Sequence, residues 1–209
     1  MLRQTLNCAV LGLLLISLLT VVGGEVRAQP AAPVILAIGE STTAGFGVPR
    51  DKSWPAQLQA LLDAEGVEYR VVNHGRSGST TTMALSRLGD GLALQPKIVL
   101  IAIGGNDRST RMSPEQTQDN LRRLVSMHVR AGSTVFLADR GAATDGGDVS
   151  NNSLYAALAE EEGALLMPSL REGIAGNAAY FLADMSHPNA EGYTIIAVRM
   201  LELIRPYLQ

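Results

Sequence analysis

Short apolar segments alternate with longer segments of helical periodicity along most of this chain. The apolar segments have the length and composition of buried β-strands. They cover residues 34–38, 69–72, 98–103, 134–138 and 164–167. Because strands and helices alternate about five times, the strands are predicted to form a parallel sheet whose crossover helices cover both faces. The predicted fold class is three-layer α/β/α with a five-stranded sheet.

The segments between these strands carry signals for the start and end of helices. Trp54–Leu62 has apolar residues at helical spacing, with Ser53 as the predicted N-cap and Pro55 in the first turn. Ser113–Gln116 has the form of a capping box and opens a helix that is predicted to run to about Ala131. Three further helices are predicted over 81–88, from Ser150 or Asn151 to about Glu162, and from near Pro188 onward.

The first 28 residues have the pattern of a secretory signal peptide. Arg3 precedes the apolar run Cys8–Val22, and small residues then lead to a cleavage site after Ala28. The run of about 15 residues is shorter than the roughly 20 that a membrane-spanning helix needs, although an uncleaved anchor is the alternative. Cleavage would send residues 29–209, as one domain, to the periplasm or the cell exterior.

Charge and cysteine content narrow the partners that we expect. The formal net charge is −3 and no block of basic residues occurs, which argues against a nucleic-acid partner. The single cysteine, Cys8, lies in the signal segment, so the exported part has no thiol nucleophile and no disulfide. Nothing after Ala28 is apolar enough to span a bilayer. The expected partner is a small-molecule substrate, and the chain is expected to be a monomer.

Residues that follow the predicted strands contain a set suited to nucleophilic catalysis, and ligands of open parallel sheets bind at the carboxyl ends of the strands. A serine hydroxyl becomes a good nucleophile when an imidazole takes its proton and a third group orients the imidazole. Ser41, His187 and Asp184 suit these roles. The three-residue offset between Asp184 and His187 allows the carboxylate to reach the ring within one turn.

An oxyanion that forms on the substrate needs preorganised hydrogen-bond donors. Glycine permits close approach of a bare backbone N–H, and asparagine supplies a neutral amide. We expect the oxyanion hole to combine the N–H groups of Ser41 and Gly75 with the side chain of Asn106.

Other polar residues are assigned less specific roles. His74 is predicted to be a turn or rim residue, and His128 to lie packed or solvated in a long helix. Gly39–Gly45 lacks the lysine of a phosphate-binding loop. No third ligand accompanies Asp184 and His187, so no metal and no cofactor are expected. Arg108 and Arg111 are predicted to be solvated.

The four polar segments resemble the sequence blocks of the SGNH hydrolases, also called GDSL esterases and lipases. The resemblance rests on Ser41 with Ala44-Gly45, on Asn73–Gly78, on Gly104–Asp107, on Asp184 through Asn189, and on Trp54-Pro55-Ala56. It is strongest with the bacterial periplasmic thioesterase, lysophospholipase and arylesterase group. It implies a flavodoxin-like fold with strand order 2-1-3-4-5, hydrolysis of esters or thioesters without metal or cofactor, and the same roles for the residues named above.

The chain departs from the family pattern in three places. Glu40 stands where the motif usually has aspartate, and residues 108–111 replace a glycine and an apolar residue. The loop 139–149 also differs from the substrate-responsive loop of the thioesterase group. Three functions remain open at this point: hydrolysis, acyl transfer or carbohydrate deacetylation by the same triad, and a non-catalytic binding protein on the same fold.

Overall fold

The computed structural model describes residues 31–139 and 150–208, so the predicted signal segment and most of the loop 139–149 lie outside the described residues. Five parallel strands form one sheet in the order β2-β1-β3-β4-β5. They are β1 (Val34–Gly39), β2 (Arg70–Gly75), β3 (Ile98–Ala102), β4 (Thr134–Ala138) and β5 (Leu165–Met167). The predicted three-layer α/β/α class and the strand order are therefore confirmed. Gly39, at the end of β1, lies between Gly75 of β2 and Ala102 of β3.

Helices follow the strands on both faces of the sheet. They are α1 (Ser41–Ala44), α2 (Trp54–Ala64), α3 (Thr81–Leu85), α4 (Leu88–Ala93), α5 (Gly105–Ser109), α6 (Pro114–Arg130), α7 (Ser150–Glu162) and α8 (Ala190–Ile204). Short 3₁₀ turns cover Arg50–Lys52, Ala178–Tyr180 and Arg205–Tyr207. Within the described residues, none of these helices is long and apolar enough to cross a membrane.

Two hydrophobic cores hold the layers together. Successive side chains of β1 point to opposite faces of the sheet, so Ile35 and Leu36 enter different cores. Ile35 packs in the core that contains Trp54 of α2 and Ile196 of α8. Leu36 packs in the core that contains Leu121 of α6. All five side chains are fully buried, and each such burial stabilises the fold by roughly 1.5–3 kcal/mol.

Strand β2 is longer than the sequence predicts. It continues past Val72 to Gly75, so Asn73, His74 and Gly75 are strand residues and do not follow the strand. Parallel pairing with β1 through Gly39 overrides the low strand propensity of asparagine and glycine.

The predicted helix over 81–88 is divided into α3 and α4. The Thr80 hydroxyl caps α3 by accepting from the Met83 N–H. The Ser86 hydroxyl donates to the Met83 carbonyl at 2.8 Å, a local bond of the kind that competes with continuation of a helix.

The predicted starts of α6 and α2 agree with the structure, whereas α8 starts at Ala190, just after the predicted Pro188. Ser113 and Gln116 form both bonds of the predicted capping box. Ser53 occupies the N-cap position of α2 but donates its hydroxyl to the Arg50 carbonyl, so it makes no capping bond. Helix α8 begins after Asn189, whose side chain accepts from two N–H groups of the first turn, and not at Pro188.

Candidate active site

Ser41 begins α1, just after the end of β1. Gly39 permits this sharp exit, because a Cβ at that position would lie 2.0 Å from Thr43 Oγ1. Gly45 ends α1 in the left-handed region with a φ of 82°, and its N–H donates to the Ser41 carbonyl. The backbone thus holds Ser41 at the carboxyl end of β1, where open parallel sheets bind ligands.

His187 lies between Ser41 and Asp184. Its Nε2 is 2.8 Å from Ser41 Oγ, and its Nδ1 is 2.7 Å from Asp184 Oδ2. An ionised carboxylate only accepts hydrogen bonds, so the proton of the neutral ring lies on Nδ1 and Nε2 is left to accept from the serine hydroxyl. The structure therefore brings together the three residues that the sequence proposes as nucleophile, base and orienting acid.

The Asp184 carboxylate is stabilised in its charged form. The hydrogen bond from the His187 ring lowers the pKa of Asp184 to about 2, with further bonds from the backbone N–H groups of His187 and Ser186. The charge that orients His187 is thus present throughout the neutral and mildly acidic range.

The loop that carries Asp184 and His187 is held by backbone contacts between its two ends. Phe181 and Pro188 form an antiparallel bridge, and the Leu182 N–H donates to the His187 carbonyl at 2.8 Å. The Phe46 ring packs on the His187 imidazole with 4.4 Å between centroids. Met185 adopts a φ of 53° at the tip of the loop.

Asn106 is held beside Ser41 by Glu40. The Asn106 side-chain amide donates to Glu40 Oε2 at 2.9 Å and to the Ser79 carbonyl at 3.0 Å. The Asn106 backbone N–H also donates to Glu40 Oε2, at 3.3 Å. The longer carboxylate at position 40 therefore binds the side-chain amide of Asn106, the candidate oxyanion donor. The sequence by itself did not indicate this role for Glu40.

These side chains border one cavity at the carboxyl edge of the sheet. Its volume is about 290 Å³, and its walls include Glu40, Ser41, Asn106, Arg171 and His187. A space of this size beside a serine hydroxyl fits a small substrate or one part of a larger substrate.

The family model for the GDSL-like lipase/acylhydrolase family matches residues 37–195, a span that contains all of these side chains. The chain belongs to this family. The family, together with the named relatives described next, confirms the predicted enzyme class, an esterase of the SGNH (GDSL) type.

Among these relatives, esterase TesA of Pseudomonas aeruginosa is 34% identical over 87% of this chain and 90% of its own length. The arylesterase of Vibrio mimicus is 30% identical over 81% of this chain and 87% of its own. Thioesterase 1/protease 1/lysophospholipase L1 of Escherichia coli is 30% identical over 84% and 85%. The names of these relatives cover both esters and thioesters.

Solved structures of family members have the same fold. The psychrotrophic esterase EstA from a Pseudoalteromonas species, inhibited by monoethylphosphonate, superposes with a TM-score of 0.77 and 28% identity over 84% of this chain and 98% of its own. The crystal structure of TesA superposes with a TM-score of 0.76 and 32% identity over 84% and 99%.

Gly75 does not take the position expected for an oxyanion donor in this GDSL-like hydrolase. Its N–H donates to Asn73 Oδ1 at 2.9 Å, and it borders a second cavity, lined also by Ala44 and Asn73, and not the cavity of Ser41 and His187. A Cβ at position 75 would lie 2.4 Å from the Ala44 nitrogen. Because β2 extends to Gly75, this glycine permits close packing of β2 against α1, which corrects the expectation from sequence.

Gly78 is the glycine of the same segment whose N–H remains available. It has a φ of 74° in the turn that the Ser79 N–H closes onto the Arg76 carbonyl. Among the described residues, its own N–H forms no hydrogen bond. The Ser79 carbonyl accepts from Asn106, which places the Gly78–Ser79 segment beside the candidate oxyanion amide. The turn pattern in the sequence is the signal that could have identified Gly78.

Asp107 follows Asn106 in the Gly104–Asp107 segment, and its side chain is buried between helices. It is 1% exposed, and its carboxylate accepts from the Thr81 N–H at 2.8 Å and from the hydroxyls of Thr81 and Thr117. The carboxylate joins α3, α5 and α6, so Asp107 supports the helix that carries Asn106.

The remaining polar residues lie away from this arrangement. His74 is in β2, and His128 in α6 is fully buried with neither ring nitrogen hydrogen-bonded. Arg108 and Arg111 are exposed, as predicted. Within residues 31–139 and 150–208, no cluster of three or more His, Cys, Asp or Glu side chains could hold a metal ion.

Proposed function

We propose that this chain hydrolyses carboxylic esters or thioesters through an acyl intermediate on Ser41. The observation that carries the proposal is the pair of short contacts from His187, 2.8 Å to Ser41 Oγ and 2.7 Å to Asp184 Oδ2. As Ser41 attacks the carbonyl carbon, Nε2 takes the hydroxyl proton and Asp184 stabilises the imidazolium. His187 then gives that proton to the leaving alcohol or thiol, and an activated water releases the acid.

The oxyanion would be held by three donors. The Ser41 N–H is in the first turn of α1, where N–H groups have no partner within the helix. The Gly78 N–H and the Asn106 amide are the other two. Both Asn106 hydrogens already donate, to Glu40 and to Ser79, so the oxyanion would have to share one of them. We therefore expect Asn106 to contribute near the low end of the roughly 10²- to 10³-fold range for one oxyanion donor.

The first test is covalent labelling of Ser41. A phosphonate ester should add one adduct to the wild-type protein, and peptide mass analysis should place it on Ser41. Ser41→Ala should remove the adduct and the turnover of p-nitrophenyl esters and acyl thioesters. Ser86→Ala, at an exposed serine of the Thr81–Leu88 region, is the matched control and should be labelled like wild type. Unlabelled wild type, or equal turnover by wild type and Ser41→Ala, would contradict the proposal.

Product analysis separates hydrolysis from acyl transfer. Free acid should dominate when alcohols or sugars are added as acceptors at moderate concentration. A product that is mainly the acylated acceptor would assign the same Ser41 chemistry to a transferase.

The proposal extends to export. The apolar run before Ala28 and its cleavage site support secretion to the periplasm or beyond, with residues 29–209 as the hydrolase domain. Amino-terminal sequencing of the exported protein should begin at Gln29. Size-exclusion chromatography should show a monomer, and binding to nucleic acid should be undetectable. An amino terminus at Met1 in the membrane fraction would favour an anchor.

A further inference from the structure

Arg171, in the segment after β5, contacts the loop that carries His187. A guanidinium N–H of Arg171 donates to the carbonyl of Ser186, the residue immediately before His187. A charged donor makes a stronger hydrogen bond than a neutral one, roughly twofold, so this contact is a strong restraint on the carbonyl.

The same guanidinium also contacts the opposite limb of the loop. It lies over the Phe181 ring with 5.2 Å from its central carbon to the ring centroid. Phe181 pairs with Pro188 at the base of the loop. A planar cation that stacks on an aromatic ring while donating to a carbonyl fixes both groups at once, and a lysine reproduces this geometry poorly.

Arg171 is itself attached to a well-packed part of the fold. Its backbone N–H donates to the Ser169 hydroxyl at 3.3 Å, and its carbonyl accepts from the N–H groups of Ile174 and Ala175. Ile174 is fully buried in the core that contains Trp54. In contrast, the Asp184 side chain is 41% exposed. The contact therefore connects an exposed loop to the core.

We infer that Arg171 is a positioning residue for His187. This inference rests on the proposed function, since it concerns the position of His187 Nε2 relative to Ser41 Oγ. By holding Ser186 and Phe181, Arg171 keeps the imidazole within hydrogen-bond distance of the nucleophile. A displacement of about 1 Å in such a group is enough to lower turnover by roughly 10²-fold.

The test compares Arg171→Ala and Arg171→Lys with Arg199→Ala. Arg199 is a matched control because it also donates to a backbone carbonyl of the same segment, that of Glu172, and pairs with the Glu172 carboxylate at 3.2 Å. It makes these contacts from α8, and within the described residues it has no hydrogen bond to the loop of His187. Each variant is measured for kcat, KM and the rate of phosphonate labelling, with circular dichroism as the check on folding.

We expect kcat and the labelling rate of Arg171→Ala to fall together by about 10- to 100-fold, with KM within about twofold of wild type. Added guanidinium, well below the molar concentrations that unfold proteins, should restore part of the activity of Arg171→Ala. Arg171→Lys should retain the charge and part of the rate. Arg199→Ala should keep the wild-type kcat.

Because Arg171 also borders the cavity, a raised KM with unchanged kcat would overturn the inference and assign Arg171 to substrate contact. Equal losses in Arg171→Ala and Arg199→Ala would also overturn it, since both variants would then act through packing. If Arg171→Ala does not fold, the kcat and labelling rate of folded Arg171→Lys decide between these outcomes. Unlabelled wild type contradicts the proposed function itself, whereas labelled wild type with an unimpaired Arg171→Ala contradicts only the role of Arg171.

Discussion

Ser41 and the Asp184–His187 pair are held by different means, the first by the sheet and the second by an exposed loop. Every residue of β1 is buried, and Gly39 and Gly45 fix the turn around Ser41 through backbone geometry. Residues 183–186, in contrast, are exposed. The position of the nucleophile thus follows from the core, whereas the position of the base depends on a few side-chain contacts to its loop.

The largest expected effect is on the loop. Asp184→Asn should lower kcat/KM by about 10⁴-fold, because an amide in place of the carboxylate no longer selects the Nδ1–H tautomer or stabilises the imidazolium. Added to Ser41→Ala, the same substitution should have almost no further effect, since the three residues act as a unit. Steady-state kinetics of the two single variants and the double variant measure this. Multiplicative losses would show that Asp184 acts independently of Ser41.

A smaller effect is expected where the sheet edge meets Asn106. Asn106→Ala should lower kcat by about 10²-fold through loss of one oxyanion donor. Glu40→Ala should cause a loss of about tenfold, because the side-chain amide of Asn106 then keeps only one of its two orienting bonds, that to the Ser79 carbonyl. Glu68→Ala, at an exposed position, is the control. A Glu40→Ala variant that is faster than wild type would mean that the carboxylate competes with the oxyanion for the Asn106 amide.

Between neutral pH and about pH 4.5, stability should respond to pH through His128 in α6 more than through the loop that carries Asp184. Burial, and to a lesser extent the nearby charge of His74, lowers the pKa of His128 from 6.5 to about 4. Between these values the unfolded chain binds more protons than the folded protein, so the free energy of unfolding is highest above pH 6.5 and falls as the pH decreases toward 4. At about 1.4 kcal/mol per pKa unit the whole shift corresponds to about 3.5 kcal/mol, of which about 2–3 kcal/mol should be lost between neutral pH and about pH 4.5.

Urea unfolding at neutral pH and at about pH 4.5 measures this loss. His128→Leu should remove most of the pH dependence between these values, whereas Asp184→Asn should retain it, because Asp184 stays ionised down to a pKa of about 2. An unchanged slope in His128→Leu would assign the acid sensitivity to other groups.

The smallest effect is expected at the turn before Ser41. Gly39→Ala should destabilise the protein by about 1–3 kcal/mol, since its Cβ would meet Thr43 Oγ1 at 2.0 Å and the Ala102 carbonyl oxygen at 2.9 Å. Gly89→Ala in α4 is the matched control, because a Cβ there has open space. Its stability should be equal to wild type or higher by up to about 1 kcal/mol. Thermal unfolding of both variants measures the difference in stability. A Gly39→Ala variant as stable as Gly89→Ala would show that the close contact at Gly39 is relieved at no cost.

Much of the fold and the candidate site could be predicted from local sequence. The strand β4 coincides with the predicted residues 134–138, and the capping box of α6 forms at Ser113 and Gln116. These predictions succeed because apolar periodicity and capping are properties of neighbouring residues. The proposal of Ser41, His187 and Asp184 as a set came from residue type and spacing, and the structure places them within hydrogen-bond distance.

Other features depended on partners that are distant in sequence. Gly75 became a strand residue that packs on α1 because β2 pairs with β1 to its last residue. Glu40 reaches Asn106 across 66 positions of the chain. Arg171 contacts Ser186 across 15 positions of the segment between β5 and α8.

By itself the sequence determined the order of strands and helices, the family, and the residue types that can perform acyl chemistry. Three features depended on the tertiary structure. The Gly78 N–H, and not that of Gly75, stays available; the Glu40 carboxylate binds the Asn106 amide; and the Arg171 guanidinium contacts the loop that carries His187. The physical reason is the range of the interactions. Periodicity and caps act over one or two turns, whereas hydrogen bonds between loops depend on which strand ends lie next to each other in the folded sheet.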